Sequence, residues 1–195
     1  CNEMAKGQSY FSLSGINISE DNKWAAFGLD LVSRRQYVIQ IKNLETGEIL
    51  PVKLENTTGG STWASDNKTL FYTRKDEKTL RSDKIYKHIL GTEASEDQMI
   101  FNEKDDTFNT FVYKEKSKKY LVIGSSSTLT SEYQILEANN PNGEFRIFQK
   151  RTRGLEYGIA HYGDSFYIVT NKDKATNFKL MKTPETATSA ENWKD

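Results

Sequence analysis

The stretch Ser61–Glu103 reads STWASDNKTLFYTRKDEKTLRSDKIYKHILGTEASEDQMIFNE. Its polar turns divide it into four short runs: Ser61–Ala64, Thr69–Thr73, Lys84–Leu90 and Gln98–Asn102. Each run holds aromatic or β-branched residues and is followed by a glycine or a polar residue, Ser65, Arg74, Gly91 and Glu103 in turn. That is the pattern of short antiparallel strands and not of a helix. In the first turn, Ser65-Asp66-Asn67-Lys68, the Asp and Asn side chains can bond their own backbone and tolerate left-handed dihedrals, so the turn is tight. Four antiparallel strands in about forty residues, if repeated, are the blade of a β-propeller.

The pattern repeats on both sides. Upstream, Tyr10–Ile18, Lys23–Leu29, Tyr37–Lys42 and Ile49–Leu54 read as a first blade. The turn Leu44–Glu48 supplies Gly47 where a hairpin needs a positive φ. Downstream, Phe108–Lys114, Tyr120–Ser125, Glu132–Glu137 and Glu144–Gln149 read as a third. Leu155–His161, Ser165–Thr170 and Asn177–Lys182 begin a fourth. The tail Pro184–Asp195 is polar, with Trp193 near its end, and shows no outer strand.

Second strands align on Ala25, Leu70, Leu121 and Tyr167, at steps of 45, 51 and 46 residues. Third strands start at Tyr37, Ile85, Tyr133 and Phe178, at steps of 48, 48 and 45. The two columns agree on a blade-length period, which an evenly stranded β-sandwich would not require. The expected fold is therefore all-β, about four propeller blades (approximately 8–56, 57–104, 105–153 and 154–195), the last incomplete. No closing strand stands at either terminus, so an open arc is expected.

Composition bounds the function. Lys plus Arg number 27 and Asp plus Glu 27, a net charge of zero. A nucleic-acid or membrane-surface binder would carry a basic excess, so neither partner is expected. No apolar run approaches the roughly 18 residues that span a bilayer. The single cysteine, Cys1, excludes an internal disulfide and fits a reducing, cytoplasmic compartment. Its position leaves two readings open, a domain boundary within a longer chain or the lipidated residue of a bacterial lipoprotein.

Catalytic signals are absent. A nucleophile elbow needs Gly-x-Ser-x-Gly, and Gly124-Ser125-Ser126-Ser127 lacks the second glycine. His88 and His161 are the two histidines, each on an expected strand and read as structural. No Cys/His or Asp/Asn spacing fits zinc or calcium, and no cofactor or metal is expected. Glu103 with Asp105-Asp106 reads as a solvated turn between blades. Gly59-Gly60 has no basic residue or helix after it and reads as a backbone bend, not a phosphate cradle.

Several segments are more than generic: NEMAKG (Asn2–Gly7), SRRQY (Ser33–Tyr37), NLETG (Asn43–Gly47), WASDN (Trp63–Asn67), HILGTEASEDQMIFNEKDD (His88–Asp106) and TSEYQIL (Thr130–Leu136). In this order they resemble the propeller of the oligopeptidase B (protease II) group of the prolyl oligopeptidase family of serine peptidases. The resemblance covers essentially the whole chain. It implies the middle of an openly closed seven-bladed propeller. It also implies a separate α/β-hydrolase domain that carries Ser, Asp and His and cleaves short peptides after Lys or Arg. This segment would hold no catalytic residue; its substrate-contacting residues are unknown.

In such a meander the loops joining strands two and three open on the same face as the connections between blades. That face carries Ser33-Arg34-Arg35, Arg74–Lys78, Arg81, Glu103–Asp106, Lys150–Arg153 and Lys172–Lys174, whereas the opposite face has shorter turns. It is the expected docking surface for the hydrolase domain, with Arg34, Arg35 and Arg153 as interface residues. The uncovered faces of the outermost blades make self-association a further expectation. A stand-alone propeller binding module is the alternative function.

Overall fold

The computed structural model describes residues 2–195, so both readings of Cys1 lie outside the described residues. After a short helix, α1 (Asn2–Ala5), the chain is built of strands. The first group is β1 (Ser12–Ile18), β2 (Trp24–Asp30), β3 (Tyr37–Asn43), β4 (Leu54–Trp63), β5 (Thr69–Lys75), β6 (Ser82–Ile89) and β7 (Gln98–Asn102). A four-stranded sheet follows: β8 (Asn109–Lys114), β9 (Tyr120–Ser126), β10 (Ser131–Glu137) and β11 (Arg146–Gln149). The last sheet has β12 (Tyr157–Tyr162), β13 (Ser165–Thr170) and β14 (Lys179–Pro184). All pairings are antiparallel between sequence neighbours, and the sheets do not close on themselves.

The second strand of the inner blades is the most buried, because it has sheet on either side and a neighbouring blade on each face. Alternation then sends successive residues to different seams. Leu70 and Tyr72 of β5 face the first blade and pack with Ala26, Ile39, Ile41 and Trp63. Phe71, between them, faces the third blade with Ile85, Leu121, Ile123 and Leu136. Val122 turns the other way, joining Ile135, Phe148, Phe166, Ile168 and Met181 in the seam between the third and fourth blades. The core is thus three inter-blade seams.

The first turn of every blade has the same backbone. Asn22 (φ 60°), Asn67 (φ 57°), Lys118 (φ 62°) and Gly163 (φ 64°) occupy the left-handed position. In the second blade the Asp66 carboxylate accepts the N–H groups of Lys68 and Thr69 at 3.0 and 2.9 Å, as the Asp-Asn pair predicts.

One strand expectation is corrected. Ile49–Leu54 is not a strand: Ile49 makes a single bridge to Lys42, and Pro51, lacking an N–H, interrupts the ladder. The ten-residue β4 replaces it. Leu54 and Thr57 pair with Ile39 and Tyr37, closing the first blade, while Ser61, Thr62 and Trp63 pair with Tyr72, Phe71 and Leu70, opening the second. The expected boundary between residues 56 and 57 falls inside this strand. Gly59 (φ 82°) makes the bend. It crosses β1 and β2 so closely that a Cβ on Gly28 would lie 2.4 Å from the Gly59 Cα. The fourth blade has three laddered strands, as expected, and beyond them only a bridge. Lys194 bridges Lys182 in the outer position, and Trp193, 5% exposed, packs with Phe148 and Tyr157.

Candidate functional site

The loops between second and third strands are residues 31–36, 76–81, 127–130 and 171–178. They share a face with the connections between blades. Each is pinned by a short polar side chain. The Asp30 carboxylate accepts the N–H groups of Val32 and Arg35 at 2.9 and 2.7 Å, and Asp76 accepts those of Lys78 and Thr79 at 3.1 and 2.8 Å. Adjacent loops are tied as well: Lys75 Nζ donates to the Arg35 carbonyl at 2.6 Å.

On this face lies an ion cluster built on Arg151, in the connection after the third blade. Its guanidinium donates to Glu103 at 2.6 and 3.3 Å and to Glu132 at 3.3 Å, and it lies over the Phe108 ring, 3.7 Å from the centroid. Asp105 stands 3.9 Å away. Arg81 completes the joint by donating to the carbonyls of Asp105, Phe108 and Glu103. One side chain from the connection after the third blade thus binds the end of the second blade, the third strand of its own blade, and the linker between them.

Burial acts to raise the Glu103 pKa, but the Arg151 guanidinium and the Asp105 N–H outweigh it and hold the carboxyl below its ordinary value. Burial likewise opposes the Arg151 charge, and hydrogen bonding to Glu103 reverses that. Beside the cluster opens a cleft of about 550 Å³, lined by Asp105, Thr107, Phe108, Ser127–Thr130, Arg151, Arg153 and Gly154.

The three expected interface arginines are not brought together. Arg34 and Arg35 sit on the first blade's loop and Arg153 lines the cleft; all three are exposed, and among the described residues none forms an ion pair. Glu103 is a correction. It is 4% exposed and salt-bridged, not part of a solvated turn, because Phe108 and Arg151 cover it. Arg151 itself was hidden in the run Lys150–Arg153, where nothing local distinguishes it from its neighbours; its partners are 48 and 19 residues away.

The histidines are held in the interior. His88 Nδ1 meets Asp97 Oδ1 at 2.7 Å, and the Tyr72 hydroxyl donates to the other Asp97 oxygen at 2.7 Å. His161 lies between Ser117 and Glu185, each at 2.9 Å. Neither is near the Arg151 cleft by any of these contacts. Among the described residues no group of three or more His, Cys, Asp or Glu is placed to hold a metal, and no helix is long and apolar enough to cross a membrane.

Comparison with known proteins places this geometry. Dipeptidyl aminopeptidase BI of Pseudoxanthomonas mexicana is 39% identical over 194 residues, covering 100% of this chain and 27% of that protein. Protease 2 of Moraxella lacunata is 33% identical over 94% of this chain and 26% of its own length. The structure of oligopeptidase B from Leishmania major superposes with a TM-score of 0.91 at 29% identity, over 97% of this chain and 27% of that one. The chain therefore spans about a quarter of the length of these relatives. The family model for the prolyl oligopeptidase N-terminal β-propeller domain matches residues 1–195, and the chain belongs to that family.

Proposed function

We propose that this chain is a non-catalytic arc of the seven-bladed propeller of a cytoplasmic serine oligopeptidase. The parent would cleave short peptides after Lys or Arg in a separate α/β-hydrolase domain. The propeller covers the active site and admits only chains thin enough to pass the channel or the gap between domains. Folded proteins are thereby excluded. Arg34, Arg35 and Arg153 contribute to the interface between the domains.

The observation that carries this reading is alignment of the whole chain on about a quarter of peptidases that share its propeller family. The full-length parent, assayed with short peptides, should cleave on the carboxyl side of Lys and Arg; no cleavage of any basic peptide removes the proposal. The 39% identity to a relative named as a dipeptidyl aminopeptidase favours a second reading, stepwise release of dipeptides from the N-terminus. Mass spectrometry of the products separates the two. A reading frame that stops soon after Asp195 would instead favour a stand-alone binding module.

A further inference from the structure

The turn between the first and second strands of the third blade differs from its counterparts. In the first two blades Asp21 and Asp66 precede the left-handed residue and accept the N–H groups of Lys23 and Lys68 at 3.1 and 3.0 Å. In the third blade that position is Ser117, whose Oγ accepts the Lys119 N–H at 3.3 Å. The hydroxyl still braces the turn, but it carries a proton that a carboxylate lacks, and an imidazole lies within reach of it.

Ser117 Oγ is 2.9 Å from His161 Nδ1, and His161 Nε2 is 2.9 Å from Glu185 Oε2. The three residues come from the turn, from β12 and from the position after β14. Glu185 accepts two bonds from Lys119 Nζ, at 2.6 and 2.7 Å, and one from the Tyr120 hydroxyl at 3.2 Å. The hydrogen bonds from Lys119, and after them that from His161, hold its carboxyl below the ordinary value against burial. An ionised carboxylate only accepts, so in the neutral ring Nε2 carries the proton and Nδ1 offers a lone pair. The Ser117 hydroxyl therefore donates to Nδ1. The ring itself is fixed: its side chain is 1% exposed, and it packs against Tyr120 and Phe166 with centroids 4.9 and 4.8 Å away.

A nucleophile, a base within hydrogen-bond reach and a third group that orients the base are the constellation that activates a serine. Ser117 is exposed and opens onto a cleft of about 220 Å³, lined also by Glu20, Ser65, Lys118, Lys119, Glu137 and Asn139. Two carboxylates face two ammonium groups there, so the cleft favours an uncharged ligand, and its volume limits that ligand to a short acyl group.

We propose that Ser117 is an acyl-accepting site, modified by small uncharged esters. Oγ attacks the ester carbonyl carbon and its proton moves to His161 Nδ1. The ester C–O bond breaks as the Oγ–C bond is completed, and the proton passes from Nδ1 to the departing alcohol oxygen. Glu185 acts through the ring, as a positioning residue. The step modifies one side chain and is independent of the peptide cleavage proposed for the parent.

The test exposes the full-length polypeptide to p-nitrophenyl acetate. Acetyl groups are mapped by mass spectrometry before and after hydroxylamine, which removes esters and leaves lysine amides. Ser65, in the same cleft, is the internal control, because its hydroxyl donates to Glu20 at 3.0 Å and not to an imidazole. Ser117 should be acetylated at least tenfold faster than Ser65. Ser117→Ala should remove the hydroxylamine-labile group from its peptide. Glu185→Gln should slow acetylation of Ser117 at least tenfold and leave that of Lys118 unchanged. Acetylation of Ser117 no faster than that of Ser65, or at the native rate in Glu185→Gln, overturns the proposal.

Discussion

Glu115, just past β8, shows how one side chain can make a seam pH-sensitive. Its Oε2 accepts the main-chain N–H of His161 at 3.2 Å, while Oε1 is buried with no hydrogen-bond partner. Burial pushes its pKa above the ordinary 4.5, against the opposing pull of the His161 N–H. Tyr113, Tyr133 and the His161 imidazole are the other titratable groups that act on it or feel its charge. A carboxyl whose folded pKa is raised contributes most below its unfolded value, and the contribution is lost as pH rises through the folded value. Glu115→Gln should therefore be more stable than the native chain at pH 8, because no charge is then buried, with the gap shrinking toward pH 4. Urea unfolding at both pH values reads this directly; a gap that does not change with pH rules it out. At this scale the sequence was legible where the residue acts on its own backbone, as Asp66 and Asn67 do. It was silent for Glu103 and Glu115, whose burial depends on groups from other blades.

The elements meet at Arg151, which joins the ends of β7 and β10 and the linker before β8. Its loss would leave the Glu103 charge buried without an ion-pair partner, which typically costs about 3 kcal/mol or more. Arg151→Met should lower stability by that order, and adding Glu103→Gln should recover much of it, because no buried charge then remains. If the double variant is no more stable than the single one in urea titration, the pair is not what holds the joint. The Glu103 carboxyl is held below its ordinary value, so the native chain should lose this contribution as pH falls through the depressed pKa. Most strands were readable because period-two alternation and Asx turns are local signals. β4 was not. Its halves pair with different blades, and the stretch Glu55–Gly60 has no apolar alternation, since Gly59 packs against Gly28 and not into a core. Trp193 was missed for a related reason: a lone aromatic in a polar tail has no period, and its burial follows from the aromatic seam it fills.

For the whole molecule, the uncovered outer face of the last blade matters most. Val169 is 52% exposed and Leu180, its register partner, 61%, with Tyr167 beside them under Lys182. In the other blades the equivalent faces are covered by the next blade. We expect the chain on its own to self-associate through this face, and Val169→Lys with Leu180→Glu to abolish the association. Sedimentation velocity over a hundredfold concentration range decides it; a concentration-independent monomer for the native chain refutes it. The three seams are also unequal in kind. Between the first two blades runs the continuous backbone of β4, laddered to both, whereas the seam between the third and fourth rests on side-chain packing and scattered bonds such as Lys119 and Tyr120 to Glu185. Under tension across the arc, the first joint carries load in shear through main-chain bonds pulled together, and the last peels one contact at a time. A crack in this wall would therefore start near the fourth blade and stop short of the first pair.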